Sequence, residues 1–347
     1  MPIPKDLNAA RKYDRSNMLG LIESFPEQCA LAKKIGDEFL LPASFKFQYK
    51  NIVATGLGGS SIGADIARSY IADELSVPFI VNRDYLLPAF VNEESLVVVI
   101  SYSGNTEETL SAYKDAKAKR AKVVVITSGG QLKKIADRDG TPVLSIPSGI
   151  PPRAAIGYSS LTLIILLSKA GAIEDKSRYI DETIEVLGSL KDKKNMAKDI
   201  ARFIYRRYPI IYGSQRHMDA VVTRWRGQIA ENSKTLSSSQ LFPELTHNEI
   251  VGWDNPKELL KNTVVIMLRD RDDHPAVSKR MGITKKILKG LKVKVIEVSS
   301  EGRGLLARIF SLVYIGDLVS YYLALFNRRD PTPVERIAYL KKELAKS

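Results

Sequence analysis

Two side chains in the second half of the chain are of types suited to proton transfer: Glu231, in "AENSK", and His247, in "LFPELTHNEIVGW", sixteen residues later. A carboxylate can act as a general base, and an imidazole, one of three in the chain, titrates near neutrality. Arg153, in "SGIPPRAAIGYSS", follows two prolines that fix the backbone ahead of it. Aimed at the end of a sheet, that guanidinium could hold a developing oxyanion. Each has a bland alternative: a helix glutamate is usually solvated, a histidine near a helix start is often structural, and a loop arginine is often a surface residue. His217 and His274 sit in no comparable pattern. There is no H-E-x-x-H and no cysteine cluster, so neither a metal site nor another cofactor is expected.

Two further stretches read as an anion site. "SYSGNTEET" (101–109) follows the apolar run "SLVVVI", and "ETLSAYKDAKAKR" after it carries Leu110, Tyr113 and Ala116 at helical spacing. Ser101, Ser103 and Thr106 therefore stand where a buried strand hands over to a helix N-terminus, a place that attracts anions. One hydroxyl would cap the helix; the others need another role. "GLGGSSIG" (56–63) places Gly58, Gly59, Ser60 and Ser61 after a second strand. It is not a dinucleotide fingerprint, because G-x-G-x-x-G would require glycine where Ser61 stands, and no G-x-x-x-x-G-K-[ST] is present. Two serine-bearing turns after adjacent strands suit a compact phosphomonoester better.

The elements that must position these groups come from a pattern used twice. The first copy runs "NIVATGLGGSSIGADIARSY", "SLVVVISYSGNTEET" and "AKVVVITSGG"; the second runs "YPIIYGSQRHMDAVVTRWRGQIAENSK", "NTVVIMLRDRDDHPAVSKR" and "LKVKVIEVSSEG". Each alternates strand and helix at spacings that suit right-handed crossovers, which predicts an α/β fold of two doubly wound parallel sheets, each flanked by helices. The expected division is an N-terminal helical segment over 1–45, a first, phosphate-binding domain over 46–170 and a linker helix over 171–195. A second domain carrying the base follows over 196–330, with a helical C-terminal tail over 331–347. The second copy replaces "SYSGNTEE" by "RDRDDHP", so the first copy is the one built to hold an anion.

With 347 residues, 44% hydrophobic and 26% charged, the chain can bury a sizeable core. Fifty-two basic against thirty-nine acidic residues give a net charge of +13. The basic residues are spread out, and no zinc-finger, RNP or helix-turn-helix signature supports nucleic-acid binding. In "KRMGITKKILKGLKVK" the spacing predicts an apolar helix side of Met281, Ile287, Leu288 and Leu291. The long apolar stretch 305–326 is interrupted by Arg308 and Asp317, so a buried helix is expected rather than a membrane span. A single cysteine, Cys29, and the polar "MPIPKDLNAARKYDR" at the start fit a reducing, cytoplasmic setting.

In order, "GLGGSSIG", "SYSGNTEET", "SGIPPRAAIGYS", "AENSK", "LFPELTHNEIVGW" and "DPTPVERIAYLK" make the chain resemble the sugar-isomerase (SIS) domain proteins. Within them it resembles the bifunctional phosphoglucose/phosphomannose isomerases, from about residue 20 to the end. That resemblance implies two SIS domains and a metal-independent interconversion of glucose 6-phosphate and mannose 6-phosphate with fructose 6-phosphate. By the same resemblance Gly59, Ser60, Ser101, Ser103 and Thr106 would bind the 6-phosphate, Glu231 would move the proton between C1 and C2, and Arg153 would stabilise the cis-enediolate. His247 would assist ring opening from the neighbouring subunit of a homodimer, with Lys341, or its neighbour Lys342, as a second ring-opening group. Thr332 is a candidate for accepting the second epimer. A non-catalytic phosphosugar sensor, or another sugar-phosphate isomerase of the same fold, is the alternative.

Overall fold

The computed structural model describes residues 11–344. The unbroken apolar runs become central strands, because a parallel strand covered on both faces needs them. β1 (Asn51–Thr55) and β3 (Ser95–Ser101) are buried at every position, and β4 (Lys122–Thr127) at all but its first. With β2 (Phe79–Asn82) and β5 (Val143–Ser145) at the edges they form a parallel sheet of order β2-β1-β3-β4-β5. The second sheet is also parallel, in the order β7 (Ser238–Phe242), β6 (Tyr208–Ser214), β8 (Thr263–Arg269), β9 (Lys294–Ser299). These are the two doubly wound sheets that the repeat predicts. The edge strands β2, β5 and β7 are additions to that reading.

Helices cover both sheets on both faces. Outside the first sheet, α4 (Glu107–Ala118) and α5 (Gly130–Arg138) bury Tyr113, Ala116 and Leu132 against Val53, Val97, Val99 and Val125. Outside the second, α11 (Pro275–Gly290) buries Met281 and Leu288 against Val265 and Met267. On α11 the expected apolar side is only half right: Ile287 and Leu291 are exposed, and with Ile283 they form an outward stripe. A short helix, α10 (Lys257–Lys261), precedes β8.

The main core lies between the sheets. α3 (Gly59–Tyr70) and α6 (Ile156–Lys169) from the first copy meet α9 (Gln215–Ser233) and α12 (Leu305–Phe326) from the second, in one continuous apolar cluster. α1 (Met18–Glu23) and α2 (Phe25–Glu38) pack on this layer, within the stretch expected to be helical; residues 1–10 of it lie outside the described residues. α7 (Ser177–Ser189) and α8 (Lys194–Ile204) connect the copies, and α13 (Glu335–Leu344) ends the described chain.

α12 is long and apolar enough to cross a membrane, but it is buried throughout inside the protein. Its two charges are neutralised there, Arg308 by Asp270 at 2.9 Å and Asp317 by Arg224 at 2.6 Å. Gly316 lets α9 approach α12: a Cβ there would collide with the Trp225 indole, whose Nε1 donates to the Leu312 carbonyl at 2.8 Å.

Candidate active site

The two anion turns of the first copy are joined. β1 and β3 are neighbours, so the turns that follow them lie side by side, and Tyr102 N donates to Ser60 Oγ at 3.2 Å. Ser101 Oγ accepts from Gly104 N at 3.1 Å and donates to Thr106 Oγ1 at 3.2 Å. Gly104 (φ +67°) lies tight against the turn after β4, where a Cβ would meet the Gly129 carbonyl oxygen. Thr106 is the N-cap residue of α4, yet no side-chain oxygen caps that helix. Ser103 Oγ accepts from Asn105 N at 3.3 Å. The hydroxyls therefore line the turn, and the first N–H groups of α4 are left for an anion to accept from.

From this turn the site runs directly to Glu231. A Cβ on Gly59 would lie 2.5 Å from the Pro152 carbonyl oxygen and 3.1 Å from Arg153 N, so glycine allows the turn to touch the arginine's own backbone. Arg153 is buried, and its Nη1 stands 3.6 Å from Glu231 Oε2, whose side chain is one-third exposed. The rest of the fork is anchored. Nε donates to Asn232 Oδ1 at 2.7 Å, and Nη2 donates to the carbonyls of Pro331 at 2.7 Å and Thr332 at 2.8 Å. Burial pushes the guanidinium below its ordinary pKa, and Glu231 opposes that shift.

α3 and α9 lie antiparallel beside a cleft of about 500 Å³. Arg68 pairs with Asp219 at one end, and Gly58 and Gly59 approach Arg153 and Glu231 at the other. The positive N-terminus of α3 and the negative C-terminus of α9 therefore meet at the same end of the cleft. Beneath Glu231, Arg224 donates to Asp317 and to the Arg153 carbonyl at 2.9 Å, and Gln228 donates to Asp317 Oδ1 at 2.8 Å. Arg83 pairs with Asp65 further along, where burial lifts the Asp65 carboxyl to about 6 against the pull of Arg83 and Arg68.

Arg153, Glu231, Gly59 and Ser60 thus come together with the hydroxyl turn, and Thr332 joins them through its carbonyl. The Thr332 hydroxyl is buried with no hydrogen-bond partner. His247 and Lys341 do not line the cleft of a single chain: His247 is exposed after β7, and Lys341 is exposed on α13. His217 and His274, which the sequence left unassigned, have structural roles. His217 Nδ1 stands 3.0 Å from the Ser69 carbonyl oxygen and its Nε2 3.2 Å from Asp73, while His274 Nδ1 accepts from Ala276 N at the start of α11.

Sequence reasoning missed Arg224, Gln228, Asp317, Lys234 and the ion pairs of Asp65 and Asp219. Arg224 and Gln228 were within reach, since they share a helix face with Glu231 at spacings of seven and three residues. Among the described residues, no three His, Cys, Asp or Glu side chains form a metal-ligating group.

Two parallel sheets with an anion turn after a central strand define a sugar-isomerase domain protein. The comparisons agree: residues 47–168 match the family described as "SIS domain", and residues 193–344 match "Bacterial phospho-glucose isomerase C-terminal SIS domain". The chain is 46% identical over 336 residues to a bifunctional phosphoglucose/phosphomannose isomerase of Caldicellulosiruptor bescii, covering 94% of this chain and 99% of that protein. It is 39% identical over 300 residues to one from Aquifex aeolicus, covering 86% and 91%. A crystal structure of a hypothetical protein from Thermus thermophilus shares the fold with a TM-score of 0.74 at 16% identity, covering 98% of this chain and 93% of that one. The chain belongs to the bifunctional phosphoglucose/phosphomannose isomerase family.

Proposed function

We propose that the protein interconverts glucose 6-phosphate and mannose 6-phosphate with fructose 6-phosphate, through a cis-enediolate. The observation that carries this reading is the Arg153–Glu231 pair at 3.6 Å, at the end of the cleft where the anion turn of α3 arrives. The phosphate sits on Gly59, Ser60, Ser101, Ser103 and Thr106, and its binding orients the reacting end of the sugar. Glu231 removes the C2 proton of the open-chain aldose, and the charge that moves onto O1 is held by Arg153. A proton passes from O2 to O1, and Glu231 returns its proton to C1, giving the ketose. Rotation about C2–C3 of the enediolate presents the other C2 epimer to the same base.

Ring opening falls to His247 and Lys341. His247 stands outside its own chain's cleft, which supports a homodimer in which it completes the partner's site. Apolar area for such an interface is available in the stripe Ile283, Ile287 and Leu291 on α11 and in exposed Ile337, Leu340 and Leu344 on α13. Lys341 follows Ile337 by one turn and shares its side of α13, whereas Lys342 is about 100° further round; the geometry favours Lys341. The basic balance suits an anionic substrate, and the one buried thiol, Cys29, supports placing the enzyme in the cytoplasm. The test is fructose 6-phosphate formation from each sugar, with Glu231→Gln in parallel. Turnover of both sugars that the variant loses supports the reading; tight sugar-phosphate binding without turnover would replace it with a sensor.

A further inference from the structure

We propose that Lys234 is a positioning residue of this site: with Arg153 it clamps the Pro331 carbonyl, and so holds segment 330–332 across the end of the helix that carries Glu231. This rests on the isomerase reading given above.

The geometry is specific. Lys234 is the first residue after α9 and adopts the left-handed conformation (φ 55°), a position that usually falls to glycine or asparagine. Its ammonium donates to three carbonyls and to no carboxylate: Glu231 at 2.7 Å, Pro331 at 3.1 Å and Asn232 at 3.3 Å. The Pro331 carbonyl also accepts from Arg153 Nη2 at 2.7 Å. One backbone oxygen therefore ties together the oxyanion holder, the end of the base's helix and the start of the tail that bears Thr332 and Lys341. Asp330 Oδ1 in turn accepts from Thr332 N at 2.9 Å, which fixes the turn.

The charges that face Lys234 are Glu231 on α9, Arg153 on the loop before α6, and Asp330 and Glu335 on the tail. Partial burial, and then Arg153, pull its pKa down to about 8, against the three carboxylates. The folded chain holds this proton less tightly than the unfolded chain does. The charge therefore opposes folding at pH 7, and that cost is relieved as pH rises through about 8. Above pH 8 the neutral amine has two hydrogens for three acceptors, and the clamp loosens.

The test uses the full-length protein, with Lys234→Asn, which suits the left-handed backbone, and Lys234→Arg, which keeps a permanent cation. We expect Lys234→Asn to lower kcat on glucose 6-phosphate on the order of 10-fold with KM little changed, because misplacing the reacting groups costs rate rather than binding. We expect wild-type kcat/KM to decline above about pH 8, and Lys234→Arg to carry that limb to higher pH. Hydrogen exchange of peptides spanning 327–340 reads the clamp without reference to turnover and should speed up in Lys234→Asn. Unchanged exchange there, or wild-type kcat in Lys234→Asn, overturns the proposal. Wild-type protein that turns over neither sugar overturns the isomerase reading instead, and leaves the exchange result to decide the clamp.

Discussion

Replacing Arg153 by methionine should damage stability and rate by separable amounts. The side chain gives three hydrogen bonds from a charged donor, to Asn232 Oδ1, the Pro331 carbonyl and the Thr332 carbonyl. Such bonds contribute about 1.5–3 kcal/mol each, or roughly 5–9 kcal/mol together. Against this, the variant no longer buries a guanidinium, which costs several kcal/mol in the native protein. Methionine also fills most of the vacated volume, so the net loss should be about 3 kcal/mol. The rate should fall further: removing an oxyanion donor typically costs ~10²–10³ in kcat. Urea unfolding followed by tryptophan emission measures the first quantity, with Trp225 and Trp253 both buried in the second copy. Coupled detection of fructose 6-phosphate measures the second. Arg153→Lys separates them, because a lysine can satisfy one or two of the anchoring acceptors yet cannot also present a planar fork to the substrate. It should recover part of the stability and little of the rate. Arg153→Met with kcat within about threefold of wild type would refute the oxyanion role, since that effect is far below what such a donor contributes.

Glu231→Gln keeps the shape of the base without its proton affinity. It should lose about 10²–10⁴ in kcat while calorimetry still detects sugar-phosphate binding. Thr106→Val removes a hydroxyl that caps nothing. It should raise KM for both sugars by roughly 10-fold, about 1.4 kcal/mol, and leave the unfolding midpoint near wild type. Gly316→Ala should destabilise the protein by about 1–3 kcal/mol in urea, because the new methyl meets the Trp225 ring and neither helix can withdraw.

Which parts of this molecule were readable in advance follows from how its segments are buried. "LVVVI" and "KVVVIT" announce central strands because both faces are covered, and the turns after them carried the anion signal. β2, β5 and β7 gave no such run: they are edge strands of three to five residues, each half-exposed, and their sequences look like loop. α12 has no polar face to betray its orientation, yet its two charges marked it as internal. On α9 the sequence shows an apolar side of Val221, Val222, Trp225 and Ile229. Arg224 and Gln228, on the edge of that side, read as solvated until α12 brings Asp317 to them. Lys234 and Pro331 are 97 residues apart, and nothing local links them. His247 stands out by residue type as a proton-transfer group, its ring-opening role and that of Lys341 come from resemblance, and a single chain does not bring either to the cleft.

The two copies explain why one chain holds one anion site. After β3 the turn carries hydroxyls and no charge until α4 begins, so a phosphate meets N–H groups and the positive end of a helix. After β8, the equivalent position, Asp270, Asp272 and Asp273 occupy the turn, with Ser300 Oγ donating to Asp270 at 2.6 Å and Arg308 donating to both Asp270 and Asp272. The guanidinium groups of Arg269, Arg271 and, from α12, Arg308 are already paired with those carboxylates, so a phosphate there would have to displace one of them. The first helix of each copy completes the division. α3 brings its N-terminus to the cleft and α9 its C-terminus, because the two helices pack antiparallel, with Arg68 beside Asp219 at the far end. An anion belongs at the first end and a proton acceptor at the second. The pairing of Gly59 with Arg153 and Glu231 is therefore set by the antiparallel packing of α3 on α9, and the divergence of the two turns decides which copy binds the anion and which supplies the base.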